Sequence, residues 1–205
     1  MSQTSFWSRR IHSLTGVVPI GVFILEHFFS NSFSTQGASA YNNMVKNLSG
    51  LPYVLWLEVF VIFVPILFHA IYGTWIALQA SPNAVRYPFI RNWMFVLQRV
   101  TGIFLFVFIA LHVYETRYQV FLDESLKEEF FTHMKELLSS PFYFGLYLAG
   151  ILSAAFHFAN GLWTFGIVWG ITAGEKAQRL SFYACGGIGV VVAGMGINSL
   201  MGFFA

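Results

Sequence analysis

Of the six histidines in this 205-residue chain, His27, His69, His112 and His157 fall one to each of the first four long apolar segments. An ionisable side chain inside hydrocarbon is costly to bury, so each is a functional candidate by its position alone. A lone intramembrane histidine can equally bond to a neighbouring helix, but here the placement repeats. At about 1.5 Å of rise per residue, His27 lies roughly 25 Å along the first segment from Arg9-Arg10, and His112 roughly 30 Å along the third from Arg91. His69 and His157 lie on segments running the other way, about 24 Å from their starts. Two levels result: His69 with His157 near one side, His27 with His112 near the other. Two neutral imidazoles at one level can fill both axial positions of a haem iron, and helix-bundle interiors host such groups. Zinc would want about four clustered ligands at one level, and neither level supplies them. A proton relay or transporter also uses histidines in this setting. His12 and His133 fall outside the pairing and read as surface or interfacial residues.

The elements that must position these side chains follow from composition. With 57% hydrophobic, 19% aromatic and 10% charged residues, the chain lies far from the roughly 25% charged content of soluble domains. We expect an all-α membrane protein of one domain over residues 1–205, with five transmembrane helices, the first four forming a haem-binding bundle. The spans predicted are 9–30, 53–79, 92–117, 141–170 and 178–203, each near or beyond the roughly 20 residues that cross a bilayer. Residues 30–50, 81–88, 118–140 and 172–176 read as the loops between them. In 118–140, Val120, Phe121, Leu126, Phe130, Met134, Leu137 and Leu138 recur near the helical period. That pattern suits a short helix lying on the membrane surface, or an ordinary polar connection.

The second and fourth spans share a pattern, F-H-x-x-x-G-x-W, at Phe68, His69, Gly73 and Trp75 and at Phe156, His157, Gly161 and Trp163. The first and third match more weakly, through Thr15-Gly16 ahead of His27 and Thr101-Gly102 ahead of His112. Two similar helix pairs plus a fifth span are implied. Gly16, Gly73, Gly102 and Gly161 would let a flat macrocycle approach the backbone, and equally serve close helix packing. Trp75 and Trp163 read as well as interfacial anchors.

Seven basic residues (Arg9, Arg10, Arg86, Arg91, Arg99, Lys176 and Arg179) fall on one side, against Lys46, Arg117, Lys127 and Lys135 on the other. The excess places the N-terminus in the cytoplasm and the C-terminus outside. Arg9-Arg10, the apolar run and Ala38-Ser39-Ala40 imitate a cleavable signal peptide, but the run is longer than a typical apolar signal core and holds Glu26 and His27, so we read a retained helix. A net charge of +2 with scattered Lys and Arg excludes nucleic acid as a partner. The single Cys185 excludes an intrachain disulfide and a cysteine-held cluster.

One histidine in each of four spans out of five, the repeated F-H-x-x-x-G-x-W and the opening Arg9-Arg10-Ile11-His12-Ser13-Leu14-Thr15-Gly16 resemble the di-haem cytochrome b membrane anchor of succinate:quinone oxidoreductases. The likeness is greatest to the single-subunit anchors of Bacillus-type succinate dehydrogenase (the cytochrome b558 family) and of epsilon-proteobacterial fumarate reductase. The resemblance implies two haem b groups, the proximal on His69 and His157 and the distal on His27 and His112. It implies a flavoprotein and an iron–sulfur subunit as partners in the respiratory chain and tricarboxylic acid cycle, quinone in the membrane (menaquinone in the di-haem type), and residence in the cell membrane. It further implies that this chain has no dicarboxylate site of its own and contributes the quinone site.

Quinone chemistry moves protons, so an acid near the distal haem is expected to matter. Glu58 is the first candidate and Glu26, beside His27, the second. The fumarate reductase branch carries protons on a glutamate two residues before the fourth ligand; Ala155 stands there in this chain, so that route has no support. Arg10, Gln98 and Arg99 could meet propionates of the proximal haem through charge-assisted hydrogen bonds, or serve as positive-inside anchors. Two other readings use the same residues: a stand-alone bis-histidine cytochrome of the b561 type, and a haem-free proton-coupled transporter. The cytochrome b of quinol:cytochrome c enzymes fits less well, because it places two histidines on each of two helices.

Overall fold

Hydrocarbon offers no hydrogen-bond partners to backbone amides, so a chain of this composition satisfies them internally as helices. The computed structural model describes residues 3–205, with side chains from residue 6 onward, and among these every regular element is helical. In chain order they are α1 (Gln3–Val17), α2 (Pro19–Asn31), α3 (Ala38–Ser49), α4 (Val54–Leu57), α5 (Val64–Leu78), α6 (Ile90–Val113), α7 (Gln119–Leu122), α8 (Phe130–Leu138), α9 (Pro141–Val168) and α10 (Glu175–Gly202). Five rods are long and apolar enough to cross a membrane: Phe6–Gln36, Val54–Leu78, Ile90–Leu122, Pro141–Val168 and Glu175–Gly202.

Three of the rods are composite, and proline explains two of the breaks. Pro19 has no N–H to give the Thr15 carbonyl, so α1 and α2 meet there. In the second rod Pro65 withholds a donor from Val61, and the preceding turn, Glu58–Phe63, widens to π geometry. A second π turn, Tyr114–Tyr118, joins α6 to α7 without a proline. Gly170 (φ 73°) and Gly174 (φ 81°) adopt the left-handed conformation that turns the chain from α9 into α10.

The first four rods form a closed ring: α1 packs on α5, α5 on α6, α6 on α9, and α9 back on α1. The first and third rods are therefore diagonal partners, as are the second and fourth. The fifth lies outside the ring against α9 and α2. None of the most apolar stretch of the second rod is buried within the chain. Leu67, Ile71 and Trp75 thus present an apolar exterior of the kind that lipid covers.

Two stretches expected as loops build a cap over one end of the ring. Residues 30–50 hold a 3-10 turn, Ser32–Gln36, and the helix α3. The 118–140 segment holds α8, but its apolar face does not lie on the membrane surface: Phe130, Phe131, Met134 and Leu138 are buried with Tyr41, Tyr147, Leu200 and Phe203. The amide side chain of Asn42 ties α3 to α8, accepting from the Phe131 N–H at 2.9 Å and donating to the Glu128 carbonyl at 2.6 Å. This satisfies one of the amides that a helix start leaves free. Lys46 and Glu128 form an ion pair across the same seam. The Ser34 hydroxyl, fully buried, donates to the Ser199 carbonyl at 2.7 Å and joins the turn to α10.

Leu138 is 1% exposed at the centre of this cap. Leu138→Ala should lower stability by about 2–5 kcal/mol, read as an earlier thermal unfolding midpoint in detergent. An unchanged midpoint would contradict a packed cap core.

Candidate functional site

The ring brings the four histidines together as two diagonal pairs. His69 on α5 faces His157 on α9, with ring centroids 6.2 Å apart and planes at 80°. His27 on α2 faces His112 on α6 at 5.7 Å and 83°. The first pair lies at the N-terminal end of the bundle and the second beneath the cap. Two imidazoles on opposite sides of one metal ion, each at the roughly 2 Å usual for a metal–imidazole bond, have centroids about 6 Å apart. Both pairs match that spacing. Among the described residues no three His, Cys, Asp or Glu side chains gather to hold a bare metal ion. Each pair therefore suits an ion whose remaining positions are filled by its own macrocycle.

Neutral imidazole binds a metal through one nitrogen, and the hydrogen bond made by the other fixes which one. The Nδ1–H of His69 donates to the backbone carbonyl of His12 at 2.9 Å. That of His157 donates to the Thr101 hydroxyl at 3.2 Å, whose own proton goes to the Leu97 carbonyl at 2.7 Å. Nδ1 of His112 shares a hydrogen bond with the Tyr147 hydroxyl at 3.2 Å. These bonds leave Nε2 of each ring free for a ligand. His27 is held differently: Asn31 lies 3.4 Å from its Nδ1, donates to its carbonyl at 2.7 Å and accepts from Tyr41 at 2.9 Å.

The glycines take their meaning from these rings. A Cβ on Gly16 would stand 2.5 Å from the His69 ring, and one on Gly102 would stand 2.9 Å from the His157 ring. The Thr-Gly pair of each odd-numbered rod is thus where the even-numbered rod's histidine lies against backbone. Gly73 makes room for the ring of His12, whose Nε2 would be 2.7 Å from a Cβ there. Gly161 is less confined, with Gln98 at an ordinary 3.6 Å.

The remaining sequence candidates divide into two groups. At the N-terminal end, Gln98 donates to the His157 carbonyl at 3.1 Å and accepts from Asn160 at 2.7 Å. Arg99 stacks on Phe95 and donates to its carbonyl at 2.9 Å, leaving its Nε buried without a partner. Both line a cavity of about 310 Å³ with Asn160 and Trp163. Arg10 is apart from them, its guanidinium over the Phe6 and Trp169 rings. Near the cap, Glu58 is paired in a bidentate manner with Arg117, at 2.8 to 3.1 Å. Glu26 is exposed on α2 and takes a hydrogen bond from Ser30.

Several contributors escaped the sequence reading. His12 is no surface residue: its ring lies parallel to that of His69, centroids 4.1 Å apart and planes at 9°. His133 is tied to the Glu115 carbonyl at 2.8 Å. Trp163 is buried, its Nε1–H given to the Gln178 carbonyl at 3.0 Å, so it is not an interfacial anchor. Thr101, Tyr147 and Arg117 were missed as partners of the site. The repeated Thr-Gly spacing carried the signal for Thr101.

Two comparisons bear on what this site is. The succinate dehydrogenase/fumarate reductase transmembrane subunit family matches residues 77–196. The succinate dehydrogenase cytochrome b558 subunit of Bacillus subtilis (strain 168) is 43% identical over 198 residues, covering 97% of this chain and 96% of the relative.

The contrast between two glycines is directly testable. Gly16→Val should push the His69 ring out of line and lower the b-type visible absorbance, whereas Gly161→Ala should disturb it far less. Full absorbance in Gly16→Val would contradict this geometry.

Proposed function

The chain belongs to the succinate dehydrogenase/fumarate reductase transmembrane subunit family and is a membrane-anchor subunit of cytochrome b type, and from that premise we propose a wiring for it. The chain forms one domain over residues 1–205 and holds two haem b groups, one between His69 and His157, one between His27 and His112. Groups held there would carry electrons between an iron–sulfur subunit, itself joined to a flavoprotein, and quinone in the membrane, of the menaquinone type. The observation that carries this reading is the pair of diagonal imidazole contacts, at 6.2 and 5.7 Å.

A haem held between each pair would supply one-electron transfer without ligand exchange. The protein's part is to hold the imidazoles rigid. The His12 carbonyl, the Thr101 hydroxyl and the Tyr147 hydroxyl orient three of them, and Gly16 and Gly102 let two seat against backbone. Gly73 and Gly161 line the same level. At the N-terminal end Arg99 would meet carboxylates on the macrocycle, a role supported by its unpartnered Nε beside the cavity; Gln98 lines the same cavity, and Arg10 lies apart over Phe6 and Trp169.

Protons for quinone are handled at the cap end. Glu58, at the start of one π turn, is the first proton acceptor, its carboxylate held at the rim of the bundle by Arg117 on the other. Local π turns of this kind are frequent at functional sites. An apolar groove along Ala110, Val113, Tyr114 and Tyr118 runs beside the same turn and suits a flat apolar ring. Glu26 is the second acid. We place the protein in the cell membrane with its N-terminus cytoplasmic, where the seven basic residues of that side and the partner subunits lie, and its C-terminus outside.

Alanine in place of His69 or His157 should remove one haem and leave the other, and alanine at His27 or His112 should remove the complementary one. Potential-resolved difference spectra of the purified complex read this directly. Loss of the same haem from His69→Ala and His27→Ala would contradict the pairing.

A further inference from the structure

The N-terminal level is built twice from one pattern. His12, Thr15 and Gly16 on α1 repeat the spacing of Gln98, Thr101 and Gly102 on α6. The first trio lies against His69 and Gly73, the second against His157 and Gly161. In each, the first residue sits beside the glycine four positions after the facing histidine, so His12 and Gln98 are equivalent positions on opposite sides of one site.

The two differ in what their polar atoms do. Gln98 is fully engaged, donating to the His157 carbonyl at 3.1 Å and accepting from Asn160 at 2.7 Å. His12 is not. Its Nε2 is buried and has no partner in the protein, while its ring lies flat on that of His69 at 4.1 Å. A polar nitrogen orphaned in a protein interior asks for an explanation, of which an absent binding partner is one. Its carbonyl meanwhile accepts the Nδ1–H of His69 at 2.9 Å and also a hydrogen bond from Thr15 at 3.0 Å.

We infer that His12 is a positioning residue of the N-terminal haem: its carbonyl and stacked ring set the orientation of His69, and its Nε2–H donates to a carboxylate at the edge of the macrocycle. The inference rests on the proposed pairing of His69 with His157. An N–H aimed at that carboxylate offsets its negative charge. Without it the ferric state is favoured, and the potential of this haem falls while that of the His27–His112 haem stays.

The test is an optical redox titration of the purified complex carrying His12→Phe or His12→Gln. Phenylalanine keeps the stacked ring and the backbone carbonyl but has no N–H; glutamine restores an N–H donor and copies the equivalent Gln98. His12→Phe should shift the reduced-to-oxidised ratio of the N-terminal haem at fixed potential by about tenfold, ~59 mV downward for a one-electron couple. His12→Gln should recover most of that. An unmoved potential in His12→Phe, equal shifts of both haems, or a His12→Gln shift as large as that of His12→Phe would overturn the inference. If His12→Phe does not assemble, an assembled His12→Gln with a near-native potential supports the donor role, and failure of both variants overturns it. Failure of the pairing itself would appear separately, as both haems surviving His69→Ala.

Discussion

An imidazole in hydrocarbon is stable only when its N–H has an acceptor and its lone pair has something to face, and this bundle meets that requirement repeatedly. The neighbouring rod supplies the acceptor for His69 and His157, a carbonyl in one case and a threonine hydroxyl in the other. His112 has a tyrosine hydroxyl as its hydrogen-bond partner. With Nδ1 of these three engaged, Nε2 is left for a ligand within the ring of helices. Because the first four rods close in sequence order, what lies across is the diagonal partner. Pairing by diagonals is therefore a consequence of connectivity and of lipid as solvent, and glycine at positions 16 and 102 lets the rings reach it.

The two levels share this logic but end differently. The cap seals one end with an aromatic core around Tyr41, Phe131 and Phe203, and Tyr41 reaches through Asn31 toward His27. At its rim Glu58 and Arg117 hold each other across two π turns. The opposite end has space: a largely apolar cavity onto which Gln98, Arg99 and Asn160 open, with unpartnered atoms on Arg99 and Asn160. This asymmetry suits the proposed wiring, with protein met at one end and quinone within the lipid.

Much of this was legible in the residues. Five long apolar runs in a chain with 10% charge admit little besides helices, and a rise of about 1.5 Å per residue sorts four histidines into two levels. The family comparison sets aside the stand-alone and transporter readings. The cap was harder to see. Its helix α3 has Tyr41, Val45 and Leu48 at helical spacing, but they lie among serines and asparagines that favour turns. The apolar face of α8 was visible, yet its period cannot say whether lipid or protein covers it. His12 was hidden by its neighbours, because a histidine beside Arg9-Arg10 looks interfacial until its spacing is laid over that of Gln98. Arg117 carried no local sign of Glu58, since 59 residues separate the two and only the folded ring joins them.

The central claim is that each level would hold one haem between two nearly perpendicular imidazoles, whose ring planes stand at 80° and 83°. Low-temperature electron paramagnetic resonance of the oxidised, purified complex reads that angle, because the anisotropy of a low-spin ferric haem grows as its axial imidazole planes turn from parallel toward perpendicular. Two strongly anisotropic low-spin signals, assigned to the haems by their reduction potentials, are the result this structure predicts. High-spin haem in the native complex, or the rhombic signal of parallel imidazoles at either level, would contradict it.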